Sequence, residues 1–420
     1  METYKSMADF TSQTEEIQTL GRPRVERLVL AHLRQFGATA RVDLARHLGL
    51  SAATVSAATA ALTGRGVLAE IVAPAGLGHF KRGRPPVQLD FSPDAGAVAS
   101  LRVSFASVEL AIADAQGRLG RTIAEAIHLR GKDADTVAAE LGAFVDRACT
   151  ILAAPGLAAP KLAALAVAFQ GFVDAERGVV VWSPVLDCRD LDLSARLQRH
   201  LGCAVAIEND AGALALGVAR RDPRYARGRT AAILLGEGVG LGLLFDGKLY
   251  RGVRAGGSEY GHIRIGAHGP QCRCGMRGCI EASIADYALY RDVRLAMGMR
   301  EPVAGASPSE AEMTALVAAA LNGNARAAAV FDAAAQVLAE GVSILLQLLQ
   351  PENIVVSGPG ARARALLEPA LRRHLAGLAT PGIFEHSHVE FADFDPRQFL
   401  EGALRRGLET LDDSLVTGSP

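Results

Sequence analysis

Three cysteines and a histidine crowd one stretch of the chain, "GHIRIGAHGPQCRCGMRGCIE", running from Gly261 to Glu281. The chain has six cysteines in 420 residues, yet Cys272, Cys274 and Cys279 fall within eight consecutive positions, with His262 ten residues upstream. Three thiolates and one imidazole make a closed tetrahedral set for zinc, with no position left for water or substrate, so a structural ion is expected. The spacing differs from that of a zinc finger, and Gly269, Gly275 and Gly278 let a short loop wrap one ion. The remaining thiols, Cys149, Cys188 and Cys203, lie apart in apolar or strand-like surroundings, and no chemistry is expected of them. The opening "METYKSMADFTSQTEEIQ" lacks a basic-then-apolar leader, and no run of 18 apolar residues occurs. A cytoplasmic protein with no membrane span is therefore expected. Disulfides are rare in that compartment, which leaves metal as the better use of clustered thiols.

Charge marks a second site. The formal net charge is −1, but residues 21–86 hold ten Lys/Arg against three acids, a local net of +7. A short basic unit on an acidic body suggests a nucleic-acid reader attached to something else. After an aperiodic tail over 1–20, Val25, Leu28, Val29 and Leu33 recur at helical intervals and Gly37 stops them. Val42, Leu44, Ala45 and Leu48 do the same up to Gly49, and Ser51 then caps a third helix carrying Val55 and Leu62. "GVLAEIV" and "PPVQLDF" read as strands around the glycine-rich hairpin "APAGLGHFKRGR". Residues 21–90 are thus expected to form a winged helix-turn-helix that binds double-stranded operator DNA, as a homodimer or homotetramer on a palindrome. Candidate DNA contacts are Ser51, Thr54, Ser56 and Thr59 on the third helix, Arg65 just past it, and Lys81, Arg82 and Arg84 on the wing. The helix offers no Arg, Lys, Asn or Gln to read base edges bidentately. Specificity is therefore expected from the wing arginines in a narrow A·T-rich minor groove.

From Ala97 the pattern becomes α/β. Apolar strands, glycine turns and helices alternate and repeat loosely over 97–210 and 228–360, which implies a bilobed body with a cleft. The stretches "LARHLGLSAATVS", "GRPPVQL", "ENDAGALALG", "GEGVGLG", "SEYGHI" and "CRCGMRGCIE" occur in this order. The chain resembles the ROK family of sugar kinases and sugar-responsive repressors over roughly residues 25–410. The resemblance implies a winged helix-turn-helix head on a bilobed actin/hexokinase-like body with a zinc-binding loop. The first lobe would comprise 91–208 and 395–412, and the second 209–394. It also implies that Asn209, Asp210, Glu259, His262 and Glu281 hold sugar hydroxyls, chemistry that suits carboxylates and an amide. Read singly, Asp210 could equally cap a helix and Glu281 could be a solvated acid. One position departs from the family pattern: "SPVL" puts Val185 where an Asn usually touches the sugar.

In the family's kinases Asp210 would be the general base for phosphoryl transfer. Such an enzyme must also cradle ATP phosphates with backbone N–H groups. Where the kinases carry an Asp-x-Gly-Gly-Thr turn, this chain has Arg102, Ser104, Phe105 and Ala106. Glu237 stands where they carry Thr, and Pro359 removes an N–H from a third turn. The expectation is a repressor that senses a sugar, uses no ATP and lacks kinase activity. The alternative is an active ATP-dependent sugar kinase carrying a DNA-binding head. A zinc-dependent scaffold without a small ligand is the third reading.

Overall fold

The computed structural model describes residues 21–72, 87–105, 107–153, 162–253, 259–266, 268–300, 302, 307–378 and 384–417. The wing residues Lys81, Arg82 and Arg84 lie outside these segments.

The head is three helices and a small sheet. Helices α1 (Arg22–Phe36), α2 (Arg41–Leu48) and α3 (Ala52–Gly64) bury Val29, Leu30, Leu33, Leu44, Val55 and Leu62. Pro23 opens α1, where its missing N–H costs nothing. Gly49 ends α2 in the left-handed region, and Ser51 caps α3 by accepting from the Thr54 N–H. Strand β1 (Thr39–Ala40) joins β2 (Leu68–Val72) and β3 (Val87–Phe91) in the order β1-β3-β2, all antiparallel. The two-residue β1 is too short to be read from periodicity.

The body carries two five-stranded sheets of matching design. The first uses β4 (Ala97–Val103), β5 (Ser107–Asp114), β6 (Leu119–Ala126), β7 (Leu162–Phe169) and β10 (Ala204–Asn209), in the order β10-β7-β4-β5-β6. A small hairpin, β8 (Phe172–Asp174) with β9 (Val179–Trp182), projects beside it. The second sheet uses β11 (Arg229–Leu235), β12 (Val239–Phe245), β13 (Lys248–Tyr250), β14 (Asn353–Ser357) and β15 (His388–Phe391), in the order β13-β12-β11-β14-β15. Each sheet is an antiparallel three-strand meander extended by two parallel strands. The second half of the repeat thus closes at Phe391, beyond the 360 read from the sequence.

Helices α4 (Ala134–Leu152) and α5 (Leu193–Leu201) cover the first sheet, and α6 (Asp210–Arg221) leaves the end of β10. Helices α7 (Glu281–Ile284), α8 (Asp286–Ala296), α9 (Glu310–Leu321), α10 (Ala325–Leu349) and α11 (Arg364–Ala376) belong to the second half of the body. Helix α10 is apolar and long enough to span a bilayer by composition, with a mean hydropathy of 1.6 in its richest window. More than half of that window is buried, and Phe331, Leu338, Val342 and Leu346 form the second lobe's core. The last helix, α12 (Arg397–Thr417), packs on α6 and the first sheet. Its far end meets the head, and one apolar cluster joins Val29, Leu33 and Leu89 to Val98, Leu404 and Leu411. Arg34 locks this junction: it donates twice to Asp412 at 2.6 Å and once to the Ala115 carbonyl at 2.8 Å.

Candidate functional site

The loop after β13 brings the four expected metal ligands together. His262, Cys272, Cys274 and Cys279 present donor atoms that all lie within 4.8 Å of one another. The Cys272 Sγ is 3.6 Å from the His262 Nδ1, and the Cys274 and Cys279 sulfurs are 3.8 Å apart. Bonds of about 2.3 Å from a tetrahedral zinc would set its sulfurs about 3.8 Å apart. The loop is shaped for this approach. Gly278 sits at φ +78°, and a Cβ there would fall 1.5 Å from the Gly266 carbonyl oxygen. Burial pushes the Cys272 thiol upward, which is the cost a bound cation would offset by stabilising the thiolate. These side chains could hold a metal ion.

His262 faces two ways. Its Nδ1 points to the thiols, while its Nε2 lies 3.7 Å from the Glu259 carboxylate. Glu259 and His262 line a cleft of about 430 Å³ together with Asn209, Asp210 and Glu281. Asn209 ends β10 and caps α6, its Oδ1 accepting from the Ala211 and Gly212 N–H groups. Its amide nitrogen donates to the Gly171 carbonyl at 2.5 Å. Asp210 opens α6, and its carboxyl is pushed up to about 7 by desolvation, against the pull of Arg102 and the Ala211 N–H. Desolvation also raises Glu259 and Glu237. Glu281 is buried and bridges: one oxygen accepts from the Val239 N–H at 3.2 Å, and the other lies 3.4 Å from the Tyr287 hydroxyl. All five residues expected to hold hydroxyls therefore share one cavity. Val185 does not; it is 2% exposed and packs in the first lobe's core, while Pro184 lines the cleft.

The same cavity also holds residues that stand at the kinases' phosphate turns, Arg102, Ser104, Glu237 and Pro359 among them. The Ser104 N–H donates to the Ser107 carbonyl, and the Phe105 N–H to the Gln170 side chain. Arg102 pairs with its cross-strand neighbour Glu109 at 3.0 Å and lies 4.0 Å over the Phe399 ring. Glu237 rests between Gly236 and Gly238, near Gln170, and faces Arg102 and Arg273. Pro359 opens the third turn, and its ring packs against Gly236. Arg362 bridges Asp286 at 2.7 Å and Glu310 at 2.7 Å. Six carboxylates line the cavity against three guanidiniums, a poor field for a polyphosphate. Gln170, Trp182, Arg273, Asp286 and Arg362 were not legible as site residues. They converge from five separate loops and elements, and none carries a local motif.

In the head, Ser51, Thr54 and Ser56 are exposed on α3. Thr59 is corrected: it is fully buried, its hydroxyl donating to the Val55 carbonyl and accepting from Arg41. It holds α3 to α2 and has no surface to offer DNA. Arg65 spends a guanidinium nitrogen on the buried Glu26 at 2.5 Å.

The DNA-binding transcriptional repressor Mlc of Escherichia coli (strain K12) is 26% identical over 393 residues, covering 92% of each chain. A glucokinase of Thermotoga maritima is 31% identical over 217 residues, covering 50% of this chain and 68% of the enzyme. Among solved structures, a ROK family transcriptional regulator described as a homologue of E. coli Mlc superposes with a TM-score of 0.78 at 23% identity. That superposition covers 94% of this chain and 98% of the regulator, so the likeness in fold takes in the head as well as the body. The ROK family model matches residues 136–404, and with the two-sheet body that those residues build, the chain belongs to the ROK family.

Proposed function

We propose that this chain is a sugar-responsive transcriptional repressor. Residues 21–90 bind operator DNA as a winged helix-turn-helix, and the two lobes sense a sugar. One observation carries the reading: the cleft gathers Asn209, Asp210, Glu259, His262 and Glu281, while the Ser104 and Phe105 N–H groups at the first phosphate turn are already engaged. The match to Mlc supports the same reading, because it extends over both head and body. His262, Cys272, Cys274 and Cys279 would hold a structural zinc that fixes the His262 ring and keeps Glu259 at the cleft. The protein acts in the cytoplasm as a homodimer or homotetramer, with each head on one half-site.

A sugar gripped by Asn209, at the end of the first sheet, and by Glu259, His262 and Glu281 beyond the second sheet's strand β13 favours a closed cleft, and it shifts the equilibrium only by its preference for that form. Helix α12 is suited to pass the change on. Phe399 near its start lines the cleft, and Asp412 and Asp413 near its end pair with Arg34 and Arg27 of the head.

The second reading, an active sugar kinase, is favoured by Asp210. Its carboxyl near 7 is poised as a general base would be. ATP turnover across a sugar panel separates the two. The repressor reading expects background ADP release in the wild type and in Asp210→Asn alike. Sugar-dependent release that disappears in Asp210→Asn would establish the kinase.

A further inference from the structure

The cleft is lined by more than one sugar ring can touch. Its volume of about 430 Å³ lies within the range of roughly 300–1,000 Å³ seen for sites of drug-sized ligands. The residues expected to grip one ring make up only part of the wall. Arg102, Gln170, Glu237 and Arg273 line the same cavity. They offer an amide, a carboxylate and guanidiniums, a mixture that serves neutral hydroxyls as donor and acceptor. A phosphate would instead meet the Glu237 carboxylate and the Ser104 and Phe105 N–H groups, which are taken. Two aromatic rings complete the wall. Phe172 and Trp182 are direct cross-strand partners in the β8–β9 hairpin, so their side chains leave the same face, and both line the cavity. Aromatic side chains on one wall suit the C–H faces of pyranoses.

We infer that the effector is a disaccharide or longer glycan. One ring is held by Asn209, Asp210, Glu259 and His262, and the next lies against Gln170, Glu237 and Arg273, where a kinase would place phosphates. The inference rests on the sugar-sensing reading above.

The test is titration calorimetry on the full zinc-loaded chain with matched pairs: glucose with cellobiose and with maltose, xylose with xylobiose, and N-acetylglucosamine with its β-1,4 dimer. One disaccharide is expected to bind about tenfold more tightly than its own monosaccharide. Glu237→Gln should cut that advantage by about fivefold, the loss of one good hydrogen bond, and leave monosaccharide affinity unchanged. Thermal melting and zinc content check that the variant is folded, and the wild-type ratio decides the matter even if it is not. A monosaccharide that binds as tightly as its dimers overturns the disaccharide inference and leaves the sensor reading intact. Binding of no sugar of either size overturns both.

Discussion

The two sides of the cleft differ in what their polar groups are doing. On one side, Glu259 is half-exposed and faces His262, and Asp210 accepts from the Ala211 N–H and the Asn209 amide; desolvation raises both carboxyls. On the other, Arg102 is paired with Glu109, Arg362 with Asp286 and Glu310, and the Ser104 and Phe105 N–H groups are bonded within the protein. Each carboxyl keeps acceptor sites that a sugar hydroxyl could fill. Backbone N–H groups already paired offer little to phosphate oxygens. The first set therefore has more to offer a ligand's hydroxyls than the second has to offer phosphate oxygens.

The largest expected effect comes from dismantling the support of the first set. Cys279→Ser should release the metal and free the segment carrying Glu259 and His262. Sugar affinity should fall about 100-fold or more, as several hydrogen bonds worth about 1 kcal/mol each are lost together. Metal analysis with calorimetry checks this. A chain without zinc that binds sugar normally would remove the metal from the account.

Next in size is Glu259→Ala. It deletes one cleft acceptor and leaves the metal set intact, so sugar affinity should fall about 10–100-fold with zinc content unchanged. Loss of zinc in this variant would mean that Glu259 acts on the loop and not on the ligand.

A smaller effect is expected from pH. Asp210 is raised from 3.8 to about 7, so in the free protein it is largely protonated below neutrality. Its contribution to stability is therefore greatest in acid and declines as pH rises from about 4 to about 7. A sugar hydroxyl donating to the carboxylate favours the ionised form. Sugar affinity should rise through pH 7, by at most about tenfold per unit, and level off above it. Asp210→Asn should flatten the profile. Affinity that falls with pH in the wild type would mean that the protonated acid is the binding form.

The smallest effect concerns the head. Thr59→Ala removes a buried hydroxyl bonded to Val55 and Arg41, which should cost about 1 kcal/mol of stability and leave sequence preference unchanged. Arg82→Ala and Arg84→Ala should weaken operator binding more than any change on α3. Selection from a random duplex pool compares the three. A changed preference in the Thr59 variant would restore that residue as a DNA contact.

The metal loop was legible because its ligands are local in sequence and chemically rare. Thr59 was misread because α3 is nearly all Ala, Ser and Thr, so composition marks no buried stripe; Val55 and Leu62 alone point to the core. The α/β repeat was legible from strand and turn patterns, but the docking of α12 on the head was not. Its bonds to the head join Arg34 to Asp412 and Arg27 to Asp413, partners separated by nearly the whole chain. The same holds for Gln170 and Arg362, whose place in the cleft follows only from packing.

The central claim, that a sugar in the cleft controls the head, is tested most directly by operator titration of the full chain with and without effector. The operator is selected from random duplexes, and Glu259→Ala is run beside the wild type. Sugar is expected to weaken wild-type operator binding about 5–150-fold, the usual scale of allosteric coupling. Glu259→Ala should bind the operator normally and stay on it at the concentration that releases the wild type. Operator affinity that is the same with and without a bound sugar would contradict the account.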